Sequence, residues 1–94
     1  MDIVVQKKNI EQSFAFNRCG EGIKLALDFV EQFDESSKTD VISQSLQFHL
    51  CTSEYNNNRI PFEEFSRNMI KVVTGVMYIV ENAFLKFHQS TGKA

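Results

Sequence analysis

The feature that most constrains this fold is a row of apolar residues in the last third of the chain, separated by gaps of three and four positions. The row follows Pro61, a residue suited to the first turn of a helix. Two acids, Glu63 and Glu64, lie between its first members, and acids are favourable at the start of a helix. Such gaps place side chains on one side of an α-helix. The pattern predicts a helix from about residue 61 to about residue 89, roughly 42 Å long. Its apolar row consists of Phe62, Phe65, Met69, Val72, Val73, Val76, Val80, Ala83, Phe84 and Phe87.

Three more helices are predicted ahead of this one. Residues 21–34 carry an apolar stripe of their own, and residues 39–53 follow a polar connection in which Ser37 and Asp40 resemble a capping box. A helix within the first 18 residues carries Ile10 and Phe14, and Gly20 and Gly22 are expected to separate it from the next. In the second helix the residues expected to be buried are Ile23, Ala26, Leu27, Val30 and Phe33. In the third they are Val41, Ile42, Leu46 and either His49 or Leu50.

Together these patterns predict an all-α fold: a single domain spanning residues 1–94, built as a small bundle of about four helices with a long C-terminal helix. Alternating apolar residues leave an α+β alternative open, with short strands in residues 10–16 and 45–51. Low contents of Pro and Gly, one and four residues, disfavour architectures rich in hairpins.

Composition argues against several classes of function. A net charge of −2 disfavours a general nucleic-acid binder, whose phosphate contacts require clustered Lys and Arg. The two cysteines, Cys19 and Cys51, and the two histidines are not spaced as ligands, so no metal and no cofactor are expected. No stretch approaches the roughly 18 uncharged apolar residues of a membrane span. The chain lacks a signal-peptide pattern, and a cytoplasmic protein with reduced thiols is predicted.

No constellation of residues indicates catalysis. His49 lies inside an apolar pattern, which favours a histidine at the core or its boundary over a catalytic one. In a helix, His49 and Cys51 would point to different sides, and only a strand would allow a Cys–His dyad. We therefore predict no catalytic residues and no small-molecule substrate.

Two sets of residues are candidates for contact with a partner. Residues 25–37 contain Asp28, Glu31, Asp34 and Glu35 but no Lys or Arg. We call these four residues, together with Glu21, the acidic ridge, and such a ridge can steer a basic partner into contact. The second set is Tyr78 and Leu85, two apolar residues seven positions apart on the otherwise polar side of the long helix.

The sequence therefore favours a non-catalytic protein-binding module. Within that class the preferred hypothesis is an inhibitor or immunity-type protein that neutralises a toxin or a nucleic-acid-processing enzyme through its acidic face, so the partner would be a basic protein. The alternative is a dimeric helical transcriptional regulator or DNA-associated protein, joined as a homodimer through the long helix.

Overall fold

The computed structural model describes residues 2–91, which form four α-helices and one short 3-10 turn. The helices are α1 (Ile3–Ala15), α2 (Cys19–Phe33), α3 (Lys38–Asn56) and α4 (Phe62–Thr91), and the 3-10 turn spans Glu35–Ser37. The all-α prediction is confirmed. Within residues 2–91 there is no strand, and the segments considered as strands fall in α3 and in α1 with its C-terminal cap, Phe16. Gly92, which lies beyond the predicted end of the long helix near residue 89, is outside the described residues.

Successive helices run antiparallel, as their pairwise contacts show. Gln6 near the start of α1 exchanges side-chain hydrogen bonds of 3.2 and 3.3 Å with Gln32 near the end of α2. The Cys51 thiol of α3 lies 3.9 Å from the carbonyl oxygen of Phe65, early in α4. Short connections between helices favour this up-and-down arrangement. The molecule is elongated, with extents of 53 × 24 × 17 Å, because α4 runs along its whole length.

The core lies between α4 and the inner sides of the other three helices. Val76, Val80 and Ala83 of the predicted α4 row are fully buried, together with Ile10 of α1 and Ala26 and Val30 of α2. Phe29 of α2 has the largest fully buried side chain, although the spacing in the sequence did not single it out. Its ring packs against that of Phe33 at 5.1 Å, and Phe33 packs against Phe87 at the same distance, which joins α2 to the C-terminal half of α4.

The helix ends differ in part from those expected. Gly20 and Gly22 lie inside α2, and the break before it is made by Asn17, whose φ of 61° reverses the chain after α1. Asn58, with a φ of 58°, reverses the chain after α3 in the same way. Helix α3 therefore ends at Asn56, three residues later than predicted. Asparagine tolerates this left-handed conformation better than most residues. The expected capping box does not form, because the Ser37 hydroxyl donates to Asp34 instead of capping α3.

The prediction for the buried side of α3 was wrong for most of its residues. Val41 is buried as expected, but Ile42, Leu46 and Leu50 are exposed by 41%, 66% and 56%, and His49 is exposed too. The inner side of α3 is formed by Val41, Gln44, Phe48 and Cys51. Gly75 allows α4 to approach this side closely, since a methyl group there would lie 2.6 Å from the Nε2 atom of Gln44.

Candidate functional site

The acidic ridge lies mainly on the outer side of α2. Glu21, Asp28 and Glu31 are exposed on this helix, and Glu35 is exposed in the 3-10 turn that follows. Glu21 approaches Arg18 at 3.7 Å and Glu31 approaches Lys38 at 3.6 Å. Ion pairs this exposed contribute little to stability. Both carboxylates therefore stay accessible to an approaching partner, although a neighbouring base partly offsets the charge of each.

Asp34 does not belong with the accessible acids, because its side chain is only 9% exposed. Its Oδ1 atom accepts a hydrogen bond of 2.5 Å from the Ser36 hydroxyl, and its Oδ2 atom accepts one of 2.7 Å from the Ser37 hydroxyl. The Lys86 ammonium of α4 donates a third, of 3.1 Å, to Oδ2. The hydrogen bonds from the two serines, followed by the contact with Lys86, lower the pKa of Asp34. This carboxylate therefore links the α2–α3 connection to α4, and it has little capacity left to accept hydrogen bonds from a partner protein.

Tyr78 and Leu85 are exposed by 70% and 48%, on the side of α4 where the sequence placed them. They line a shallow groove of about 310 Å³ together with Ser37, Asp40 and Lys86. Ser37 and Lys86 are also hydrogen-bond partners of Asp34, so this groove adjoins one end of the acidic ridge. The two predicted sets of contact residues thus adjoin at Asp34, whose partners Ser37 and Lys86 line the groove that contains Tyr78 and Leu85.

The outer side of α3 is an apolar surface that the sequence pattern did not predict. We call Ile42, Leu46 and Leu50 the outer stripe: these residues are four positions apart and project away from the core. Residues 41–53 contain no Asp, Glu, Lys or Arg, so the outer stripe has no charged neighbour within its own helix segment. A solvated helix face normally carries charges, whereas the centre of a protein interface is depleted of them. The absence of charge from residues 41–53 is a sequence signal that could have revealed this surface.

Two grooves flank the outer stripe. One, of about 280 Å³, separates α3 from α2 and is lined by Ile23, Leu27, Ile42 and Leu46 among others. The other, of about 430 Å³, separates α3 from α4 and includes Leu50. The outer stripe therefore forms a raised row of side chains between two grooves. Helices pack by placing such rows into the grooves of a partner, so this surface shape suits contact with another helix.

A larger groove, of about 750 Å³, lies where the start of α2 meets the start of α4. Phe48, Phe65 and Met69 form its floor, and the exposed residues Phe62 and Ile70 lie at its edge. Cys19 also lines it, and burial raises the pKa of this thiol, which disfavours the reactive thiolate. Apart from Arg18 and Glu21, the lining of this groove is uncharged, and its larger side chains are apolar.

The structure does not assemble a Cys–His dyad. Cys51 is buried with its thiol directed at the Phe65 carbonyl, whereas His49 is exposed beside the Phe48 ring, 5.3 Å between centroids. His49 was expected in the core or at its boundary, but it is exposed, because α3 turns this residue toward its outer side. Among the described residues no group of three His, Cys, Asp or Glu side chains is placed to hold a metal ion.

The chain matches no known protein family, no curated protein and no solved structure. Among residues 2–91, no helix combines the length and the apolar character needed to cross a membrane.

Proposed function

We propose that this chain is a non-catalytic protein-binding module whose main contact surface is the outer side of α3. One observation carries the proposal: three large apolar side chains stand exposed in a helix segment without any charged residue. Grouped exposed apolar residues mark interaction sites in soluble domains, whereas single ones are common and carry no such meaning. The grooves on either side of the stripe extend the surface that a partner can cover.

Affinity capture from the cells that make the protein tests this proposal. Three tagged forms are compared: the wild type, Leu46→Glu, and Val4→Glu as a control on α1, where Val4 is similarly exposed at 50%. We expect the wild type and Val4→Glu to retain the same polypeptide, either another protein or an untagged copy of this chain. Leu46→Glu should lose it, because binding would bury an unpaired carboxylate. Equal recovery by all three forms, or recovery of nothing by the wild type, would contradict the proposal.

We propose as a second candidate the finer assignment to an inhibitor or immunity-type protein with a basic target, such as a toxin or a nucleic-acid-processing enzyme. The exposure of Glu21, Asp28 and Glu31 on the outer side of α2, and of Glu35 in the turn that follows, supports it. Replacing Asp28 and Glu35 with Lys should slow association with such a target and weaken its dependence on salt, as stopped-flow measurements would show. Unchanged rates at low ionic strength would leave the acidic ridge as an ordinary solvated face.

A cytoplasmic location remains part of the proposal. Cys19 and Cys51 are free thiols, as is usual in a reducing compartment.

The alternative of a dimeric transcriptional regulator requires self-association as well as DNA binding. A gel-shift assay that detects no binding to mixed-sequence DNA at low salt would argue against it.

A further inference from the structure

We propose that the outer stripe forms a two-fold homodimer in which α3 packs antiparallel against α3 of a second copy, with Leu46 on the symmetry axis. The proposal rests on the function proposed above and names the partner that covers the stripe.

The spacing of the outer stripe is symmetric about its middle residue. Ile42 and Leu50 each lie four positions from Leu46, so the stripe extends about 6 Å along the helix in each direction. A two-fold axis through Leu46 sets Leu46 against itself and Ile42 against Leu50 of the second copy. Two-fold interfaces require this kind of self-complementary surface, in which each residue meets its counterpart reciprocally.

The chemistry of the stripe selects the same partner. The outer stripe and the rest of residues 41–53 offer nothing to pair with a charged partner, which would lose hydration on contact. The charged side chains nearest to it, Lys24, Glu54 and Lys71, lie in the flanking grooves. The second copy presents an equally uncharged segment, residues 41–53. Charges of both signs border it at each end, Lys38 and Asp40 before it and Glu54 and Arg59 after it. Antiparallel packing therefore brings a mixed pair against a mixed pair, without a block of like charge.

The flanking grooves provide the remaining contact area. A stable interface buries roughly 800 Å² on each partner, more than three side chains supply. The residues that line the grooves beside α3 must therefore take part, and among them are Leu27 of α2 and Ile60 ahead of α4. The larger groove near Phe62 carries no comparable argument, because the helix segment beside it, residues 62–70, contains Glu63, Glu64 and Arg67 and is not an uncharged segment.

Sedimentation of the purified chain at tens of micromolar tests the dimer. We expect the wild type and the control Val4→Glu to sediment as dimers. Leu46→Glu and Leu46→Lys should each weaken the dimer roughly 100-fold or more, because each dimer then holds two like charges on its axis. Circular dichroism should show the same helix content and thermal transition for Leu46→Glu and Leu46→Lys when each is monomeric, since Leu46 is exposed in the single chain.

Mixing the two variants tests the position of the axis. If Leu46 faces itself, an equimolar mixture of Leu46→Glu and Leu46→Lys should restore dimerisation, because the introduced carboxylate then meets the introduced ammonium. Failure of the mixture to dimerise, when the wild type does, would overturn the proposed register. A monomeric wild type would overturn the homodimer. If Leu46→Glu nonetheless loses another protein in affinity capture, protein binding through α3 stands while its self-association falls.

Discussion

At the scale of single residues, Asp34 carries the most structural consequence. In the sequence it is one acid in a run of four, and nothing close to it along the chain distinguishes it from Asp28 or Glu31. In the fold it is the only member of that run whose side chain is largely covered, held by two serine hydroxyls and by Lys86 from the far end of the chain. Hydrogen bonds to a carboxylate stabilise its charged form and depress its pKa.

Replacing Asp34 with Ala should therefore destabilise the protein in a manner that depends on pH. At pH 7 we expect a loss of about 1 to 2 kcal/mol in the free energy of unfolding, since three hydrogen bonds disappear at a largely covered site. The pKa of Asp34 is lowered in the folded state, so its stabilisation is complete above the ordinary carboxyl pKa of about 3.9. It is lost as the pH falls through the depressed native value.

Urea denaturation of the wild type and of Asp34→Ala at pH 7, 5, 4 and 2 measures this difference. The matched control is Glu35→Ala, which removes an exposed neighbouring acid and should change stability by less than about 0.5 kcal/mol. A difference between the wild type and Asp34→Ala that stays constant down to pH 2 would show that the Asp34 carboxylate is not the stabilising group.

At the scale of the helices, α1 packs closely against α2 at Gly22. A methyl group there would lie 2.8 Å from the Phe14 ring, nearer than real side chains pack. Gly20, two residues earlier in the same helix, has ordinary space: its nearest neighbour would be the Phe48 ring at 3.8 Å. The packing of α1 against α2 therefore requires a glycine at position 22, whereas no steric contact requires one at position 20.

The paired substitutions Gly22→Ala and Gly20→Ala should have opposite effects. Gly22→Ala should destabilise the fold by about 1 to 3 kcal/mol, because the Phe14 ring must move within a packed interface. Gly20→Ala should be neutral or stabilise by up to about 1 kcal/mol, because alanine favours the helix. Thermal denaturation of both variants provides the comparison, and equal shifts in Tm would show that the contact with Phe14 does not limit the packing.

The helices also show how far the sequence could be interpreted. Most of the α4 row was predictable because charged and polar residues mark its outer side, leaving one continuous apolar side. Its first member, Phe62, is nonetheless 64% exposed. In α3 both sides are apolar, with Val41 and Cys51 inward and Leu46 outward. Without charges to mark the solvent side, periodicity cannot decide which side faces the core. Asp34 was unpredictable for another reason: its partner Lys86 becomes a neighbour only through the tertiary fold.

At the scale of the whole molecule, stability depends on a thin core along α4. The fully buried side chains include Phe29 from α2 and Val76 and Val80 from α4, with Ile10 and Val41 contributed by the two remaining helices. Salt bridges add little, because most involve exposed side chains. Besides Asp34, the least exposed side chain in these pairs is Lys7, whose ammonium lies 3.0 Å from Glu81 and 5.2 Å from the centroid of the Phe84 ring.

Truncating a core residue should therefore cost far more than truncating an exposed one of similar apolar character. We expect Phe29→Ala to lower the free energy of unfolding by about 3 to 5 kcal/mol, since it leaves a cavity where α2 meets α4. Ile70→Ala, at a position 67% exposed, should change it by less than about 0.5 kcal/mol. Guanidinium denaturation followed by circular dichroism measures both. A comparable loss from the two variants would mean that the core does not lie where the burial pattern places it.

The position of α4 also governs how the chain acquires its structure during synthesis. This helix packs against each of the other three, and it is the last of the four to be made. The α1–α2 hairpin can close as soon as both helices have left the ribosome, since its contacts are local in sequence. The inner side of α3 packs partly against α2, but its part around Gln44 and Cys51 is not covered until α4 emerges. A nascent chain halted before residue 62 would expose the outer stripe together with the part of the inner side of α3 that α4 covers, and in that state it would be a substrate for chaperones and prone to aggregate.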